Sequence, residues 1–255
     1  MATPLRGAFL EDLTWLEAKA WFERDPVVVV GIGAIAKEHG HHLPLSTDYR
    51  IARALLEGIG SALPVLLAPI VPFGYYPAFR NYPGSQHIGS ETFIAVVRQL
   101  LEGLIRQGVL RIAVLNTGVS TEAPLRILAR DLLQAEGIRV AVADIAGLGR
   151  KANALFEQKV GGHADEHETS LMLAIAPETV RLELARSNYG HALRAPKTVF
   201  YQPAIFSGEP DDPDFSEQGA RGDPTLATAE KGRQALTAMI DDLVAGLKAL
   251  HPDLR

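Results

Sequence analysis

Runs of consecutive apolar residues alternate along this chain with segments whose apolar residues recur every three to four positions. Val27 to Ile32, Val65 to Val71, Arg111 to Leu115 and Arg139 to Ile145 read as strands buried on both faces, with Thr198 to Tyr201 as a further candidate. Helical spacing covers Thr14 to Phe22, Asp48 to Gly58, Ser90 to Gln107, Thr121 to Ala135, Glu168 to Ala176 and Thr225 to Leu250. Gly108, Gly137 and Pro252 supply stops, Ser90 and Thr121 supply starts, and Asp48 is placed to cap the second helix. Strand and helix in alternation imply an α/β fold with a mainly parallel sheet, right-handed crossovers and helices on both faces.

No linker interrupts this alternation, so residues 1–255 read as one domain, large enough to bury a core without staples. The loop richest in Gly, Pro and acids, Ser207 to Gly222, lies some thirty residues from the end. It reads as a solvated acidic excursion within the domain, with a subunit contact or an active-site edge as the other readings.

Two polar clusters carry candidate chemistry. Just after the first strand, Lys37 to Asp48 gathers His39, His41 and His42 with Glu38 and Asp48. Glu38, His39, His42 and Asp48 are possible metal ligands, because first-row divalent ions accept imidazole and carboxylate together. They sit at the C-terminal edge of a parallel strand, where open α/β sheets bind ligands. The bland alternative makes Asp48 a helix cap and the histidines solvated loop residues. The second cluster runs from Gly162 to Ser170; in it His163 and His167 would share a face if helical, and Glu168 opens an apolar helix. Taken alone, it reads as a polar helix entry.

Together the clusters resemble the creatininase (creatinine amidohydrolase) family. Its signature has the general form G-S-x-E-Q-H-G-P-H-L-P-L-x-T-D, and here His39-Gly40, His42-Leu43-Pro44-Leu45 and Thr47-Asp48 match it. Asn81-Tyr82-Pro83-Gly84-Ser85 is similar to the family's F-P-G-T turn, Gly162 through Ser170 to its H-A-G-E-x-E-T-S motif, and Gly222 through Gly232 to its closing helix entry. Departures are as informative. Lys37 stands at the family's Glu, Glu38 at its Gln and His41 at its Pro, and the spacing from Gly33 is one residue longer, so that a bulge would bring Glu38 to the ligand position. In Asn116-Thr117-Gly118-Val119-Ser120-Thr121, Gly118 stands where the family carries a metal-binding His. Glycine has no side chain to ligate.

The resemblance implies a divalent metal (zinc, manganese or iron, one or two ions), with Glu38, His39, Asp48 and Glu168 as ligands and His163 as the proton shuttle. It implies hydrolysis of a small amide or cyclic amide C–N bond, in which bound metal activates water and an imidazole protonates the leaving nitrogen. Lys37 and His42 are candidates for substrate contact. Creatinine itself is not expected, since creatininase grips its flat substrate with tryptophans later in its chain, whereas Trp15 and Trp21 are the two here. Family members form homo-oligomers, often hexamers. The competing class is a small-molecule-binding pseudoenzyme on the same fold, which Lys37 and Gly118 favour and which His39, Asp48, His163 and Glu168 oppose.

Composition narrows the rest. The absence of cysteine excludes disulfides, thiolate zinc sites and thiol catalysis. A net charge of -5 argues against a nucleic-acid surface. The N-terminus mixes acids into its apolar residues, unlike an export signal, and no apolar run approaches the roughly 20 residues of a membrane helix. A soluble, cytoplasmic protein acting on a small molecule is expected.

Overall fold

The computed structural model describes residues 5–190, 199, 207, 209–212 and 215–254. Strands β1 (Ala8–Phe9), β2 (Val27–Ile32), β3 (Leu66–Val71), β4 (Arg111–Asn116) and β5 (Ala141–Asp144) form one parallel sheet in the order β1-β3-β2-β4-β5. The main helices are α1 (Trp15–Phe22), α2 (Thr47–Ala62), α3 (Ser90–Arg106), α4 (Glu122–Glu136), α5 (Glu166–Ile175) and α6 (Ala229–Leu250). The α/β fold with helices on both faces is therefore the one the alternation predicts. No helix among the described residues is long and apolar enough to cross a membrane.

The pleat of β2 divides the core. Val27 and Val29 join one apolar cluster with Ile51, Leu55, Leu171 and Met239 of α2, α5 and α6. Val28, Val30 and Ile32 join the other, with Phe93, Val97, Leu125 and Leu128 of α3 and α4. Period-two burial of an all-apolar strand is what a sheet covered on both faces requires. From β2 the chain goes to β3 on one side and later to β4 on the other, so a switch point opens at the C-terminal end of β2. Ile32 is in register with both Val71 and Asn116, which brings three strand ends level at that crevice.

Several boundaries differ from the sequence reading for identifiable reasons. Helix α2 passes through Gly58 to Ala62, because a Cβ at Gly58 would overlap Ile240 of α6 and the glycine gives room for the helix crossing. Its cap residue is Ser46, and Asp48 lies inside the first turn, so Asp48 is not the cap. Helix α5 starts at Glu166 behind Asp165, so His163 precedes the helix and does not share a helical face with His167. Residues Pro224–Leu226 form a separate 3-10 turn, and α6 begins after Thr228, whose side chain accepts from the Lys231 N–H. β5 covers the middle of its expected range; β1, only two residues long, has too little pattern to read. The candidate strand Thr198 to Tyr201 lies outside the described residues except for Val199.

Candidate metal centre

The loop leaving β2 is shaped by its own backbone bonds. Lys37 N–H donates to Leu45 O (3.0 Å), Glu38 N–H donates to Ser85 Oγ (2.9 Å), and Thr117 Oγ1 lies 2.9 Å from Ile32 O and 3.2 Å from Asp48 O, tying strand end to helix start. Gly33 is needed there because a Cβ would sit 2.7 Å from Asp48 O. This geometry turns Lys37, His39 and Asp48 toward one buried point.

His39 is fully buried, with Nδ1 2.9 Å from Lys37 O and Nε2 2.9 Å from Asp48 Oδ1. A carbonyl only accepts, so Nδ1 carries the proton and, in the neutral ring, Nε2 presents a lone pair toward a carboxylate. With a proton on Nε2 as well, the ring donates to that carboxylate; without one, the two acceptors would share a cation such as a metal ion. His163 repeats the pattern. Its Nε2 lies 2.9 Å from Glu38 O and 3.0 Å from Glu38 Oε2, both acceptors, and its Nδ1 lies 3.9 Å from Glu168 Oε2. His39, His163 and Glu168 each offer a ligand atom within 4.8 Å of the others. Two neutral imidazoles and a carboxylate, each ring oriented by a hydrogen bond from its other nitrogen, fit a divalent ion such as zinc or manganese.

The charges agree with this. Burial, together with the charges of Asp48 and Asp165, pushes the Glu168 carboxyl up to about 7 against the pull of His163, so this group gains from a cation beside it. Burial also works to raise the Asp48 carboxyl, but the Lys37 ammonium, and after it His39, hold it well below the usual range. The Lys37 Nζ is 2.6 Å from Asp48 Oδ2, with both side chains buried. The His39 and His163 rings are 4.8 Å apart, Phe79 covers His163 at 4.3 Å, and Lys37 Nζ lies 5.0 Å from the Phe79 ring.

Of the residues singled out from sequence, Lys37, Glu38, His39, Asp48, His163 and Glu168 thus converge. His42 goes elsewhere: it is buried with Nε2 2.8 Å from Thr169 Oγ1, and burial lowers its pKa to about 4. It braces α5. The reading of Ser207 to Gly222 as a solvated excursion is corrected for its last part. There Tyr82 OH donates to Ser216 O (2.7 Å), Tyr82 stacks on Phe215, Gly219 at φ +62° lies against the Glu38 carboxylate, and His163 and Arg221 exchange backbone hydrogen bonds. This segment is a wall of the site. Tyr82 and Ser85 lie in the turn that resembles the family's F-P-G-T, although nothing in sequence marked them as neighbours of the site, and Phe79 and Gly219 had no signal beyond the composition of their loops.

On the far side of Asp48 a pocket opens at the strand ends, lined by Lys37, Phe73, Tyr76, Gly118 and Thr121. A Cβ at Gly118 would meet Thr121 Oγ1 at 2.7 Å; that hydroxyl lies 2.6 Å from Asn116 Oδ1 and fills the space a side chain would enter.

The creatininase family profile, described as creatinine amidohydrolase, matches residues 11–247. The chain belongs to the creatininase family. It is 31% identical over 231 residues to a mycofactocin precursor peptide peptidase of Mycobacterium tuberculosis, covering 86% of this chain and 83% of that protein. It is 23% identical to a creatinine amidohydrolase of Pseudomonas putida, covering 97% of this chain and 98% of the relative. Solved creatininase structures share the fold: a manganese form superposes with a TM-score of 0.76 at 22% identity over 96% of this chain and 99% of the other, and a zinc–zinc form with 0.77 at 23% over the same shares. The protein is a divergent creatininase-family amidohydrolase.

Proposed function

We propose that this protein is a metal-dependent hydrolase of a small amide or cyclic amide C–N bond, the exposed amide of a short peptide being preferred to creatinine. The observation that carries this reading is the trio of His39, His163 and Glu168, each with a ligand atom aimed at one point. The roles proposed here differ from the expectation drawn from family motifs. His163, expected as the shuttle, joins His39 and Glu168 as a ligand, because its Nε2–H is spent on Glu38 and its Nδ1 faces the cluster. Glu38 then orients the His163 ring, as the Lys37 carbonyl orients His39, and Asp48 Oδ1 lies on the ligating side of His39.

When bound, a divalent ion would polarise a carbonyl and lower the pKa of water toward about 7. The chain's own residues do the remainder. Glu38 and the Lys37 carbonyl fix the two imidazole tautomers, Glu168 supplies the carboxylate of the centre, and Phe79, Tyr82 and Phe215 cover His163 and Glu38. The preference against creatinine rests on the tryptophans. Trp15 is 75% exposed on α1 and Trp21 packs in the α3/α4 core, so neither reaches the site. Resemblance to homo-oligomeric family members, with α1 presenting no buried residue, supports a homo-oligomer.

The test is elemental analysis of protein purified without chelator, followed by a turnover screen of short peptides, lactams, formamides and ureides with zinc or manganese, creatinine serving as the poor substrate. Stoichiometric metal and hydrolysis of one class are expected. Lys37 on Asp48 and the missing donor at Gly118 favour a second reading, a binding protein on the same fold. Metal-replete protein that binds such amides and turns none over would establish that reading.

A further inference from the structure

We propose that the Lys37 ammonium takes the place of a second metal ion, so that the centre holds one divalent cation and one tethered lysine charge sharing Asp48. The inference rests on reading His39, His163 and Glu168 as a metal centre. Asp48 is the hinge of the argument: its Oδ1 faces His39 Nε2 at 2.9 Å and its Oδ2 faces Lys37 Nζ at 2.6 Å. One carboxylate therefore bridges a metal-ligating ring and an ammonium.

Both partners are buried, with side-chain exposures of 7% for Lys37 and 3% for Asp48. Charges are carried into an interior only when paired, so this pair is a built feature of the site and not a passing surface contact. Lys37, a candidate for substrate contact from sequence, has an anionic partner within the protein itself.

The two sides of Asp48 differ in what they offer an ion. Toward His39 lie two imidazoles and Glu168. Toward the pocket lie Gly33, Phe73, Gly74, Tyr76 and Gly118, and among the described residues lining it Asp48 is the only carboxylate, with no histidine. Gly118 contributes no donor, and the Thr121 hydroxyl already occupies the room beside it. An ion on that side would have one protein carboxylate to hold it and would meet the lysine charge on the same oxygen. Like charges at that distance repel, and the lysine is covalently attached, so the lysine wins. The consequence is a positive charge on the pocket wall that depends on no metal supply, with hydrogens beyond the one directed at Asp48.

The experiment is equilibrium dialysis of metal-stripped protein against excess zinc, with bound zinc counted per chain and folding followed by circular dichroism. Wild type is expected to saturate at one ion per chain. Lys37→Glu, which replaces the ammonium by a second carboxylate beside Asp48, is expected to saturate at two. Two ions on wild type, or one on folded Lys37→Glu, overturns the proposal while leaving the metal centre standing. No zinc on wild type rejects the metal centre, and this inference with it. Should Lys37→Glu fail to fold, anomalous diffraction from manganese-soaked wild-type crystals decides: a single peak among His39, His163 and Glu168 with Lys37 still on Asp48 supports the proposal, and a peak on the pocket side of Asp48 defeats it.

Discussion

His42 shows how one buried side chain can couple the site's scaffold to pH. Its ring is held neutral by burial, and its folded pKa of about 4 lies below the ordinary value of 6.5. Between those values the unfolded chain binds a proton that the folded chain does not, so stability rises with pH across this window. The contribution is complete above about pH 6.5 and is lost as pH falls toward 4, to a limit of about 3 kcal/mol. Urea denaturation of wild type at pH 7 and pH 5 contains this loss, against which the raised Glu168 carboxyl works with the opposite sign, so the comparison is with a His42 variant. His42→Gln, which can still bond Thr169 Oγ1 but does not titrate, should lose less; equal losses in the two proteins would remove His42 from the account. The sequence displayed His42 and Lys37 as members of a polar cluster. It did not display that one points to Thr169 and the other to Asp48, because direction within a loop is set by contacts with α5 and with the helix start.

At the scale of elements, the N-terminus of α5 is the part on which the site depends. Asp165 Oδ1 accepts from the N–H groups of His167 (2.9 Å) and Glu168 (3.0 Å), while Oδ2 accepts from Gly162 N–H (2.9 Å) and Gln158 Nε2 (2.8 Å). One carboxylate thus caps the helix and closes the turn that carries His163. Asp165→Ala should cost about 1–2 kcal/mol in denaturation and weaken zinc binding as well. Thr14→Ala removes the capping box with Glu17 at the exposed helix α1 and should cost about 1 kcal/mol with zinc affinity unchanged. Equal zinc affinity in both variants would show that the α5 cap does not position the ligands. Helix α1 was legible from Thr14 onward because its signals are local. The start of α2 was not: Asp48 is a good cap residue by type, but His39 and Lys37 draw its carboxylate inward and Ser46 takes the cap position without a side-chain bond.

Across the whole molecule, the site is closed by segments far apart in sequence: the β2–α2 loop, the turn before α5 and residues 215–222 leading into α6. Their mutual placement depends on how tightly α6 lies on α5. At the crossing, Gly232 meets the Ser170 backbone so closely that a Cβ would overlap the carbonyl. Backbone cannot rotate aside as a side-chain tip can, so Gly232→Ala must push the helices apart. A loss of about 1–3 kcal/mol is expected, typical of overpacking, with a lower thermal midpoint as the readout. Glycine in a helix interior otherwise favours replacement by Ala, by up to about 1 kcal/mol. A stabilised Gly232→Ala protein would therefore contradict the close crossing.

The sequence by itself determined the alternation of strand and helix, the α/β class and the two polar clusters, because burial on both faces of a strand and one face of a helix leaves a periodic record in the residues concerned. The family signature also lay within short contiguous motifs. What tertiary structure decided was which donors share a point and in which protonation geometry. His39 and His163 are 124 positions apart, and which nitrogen of each ring faces the shared point is set by the acceptors on its other side, Lys37 O and Glu38. The same is true of Lys37, whose substitution for a glutamate reads in sequence as a lost ligand, and of the loop ending at Gly222. Their roles come from long-range packing at the end of β2, which no local pattern encodes.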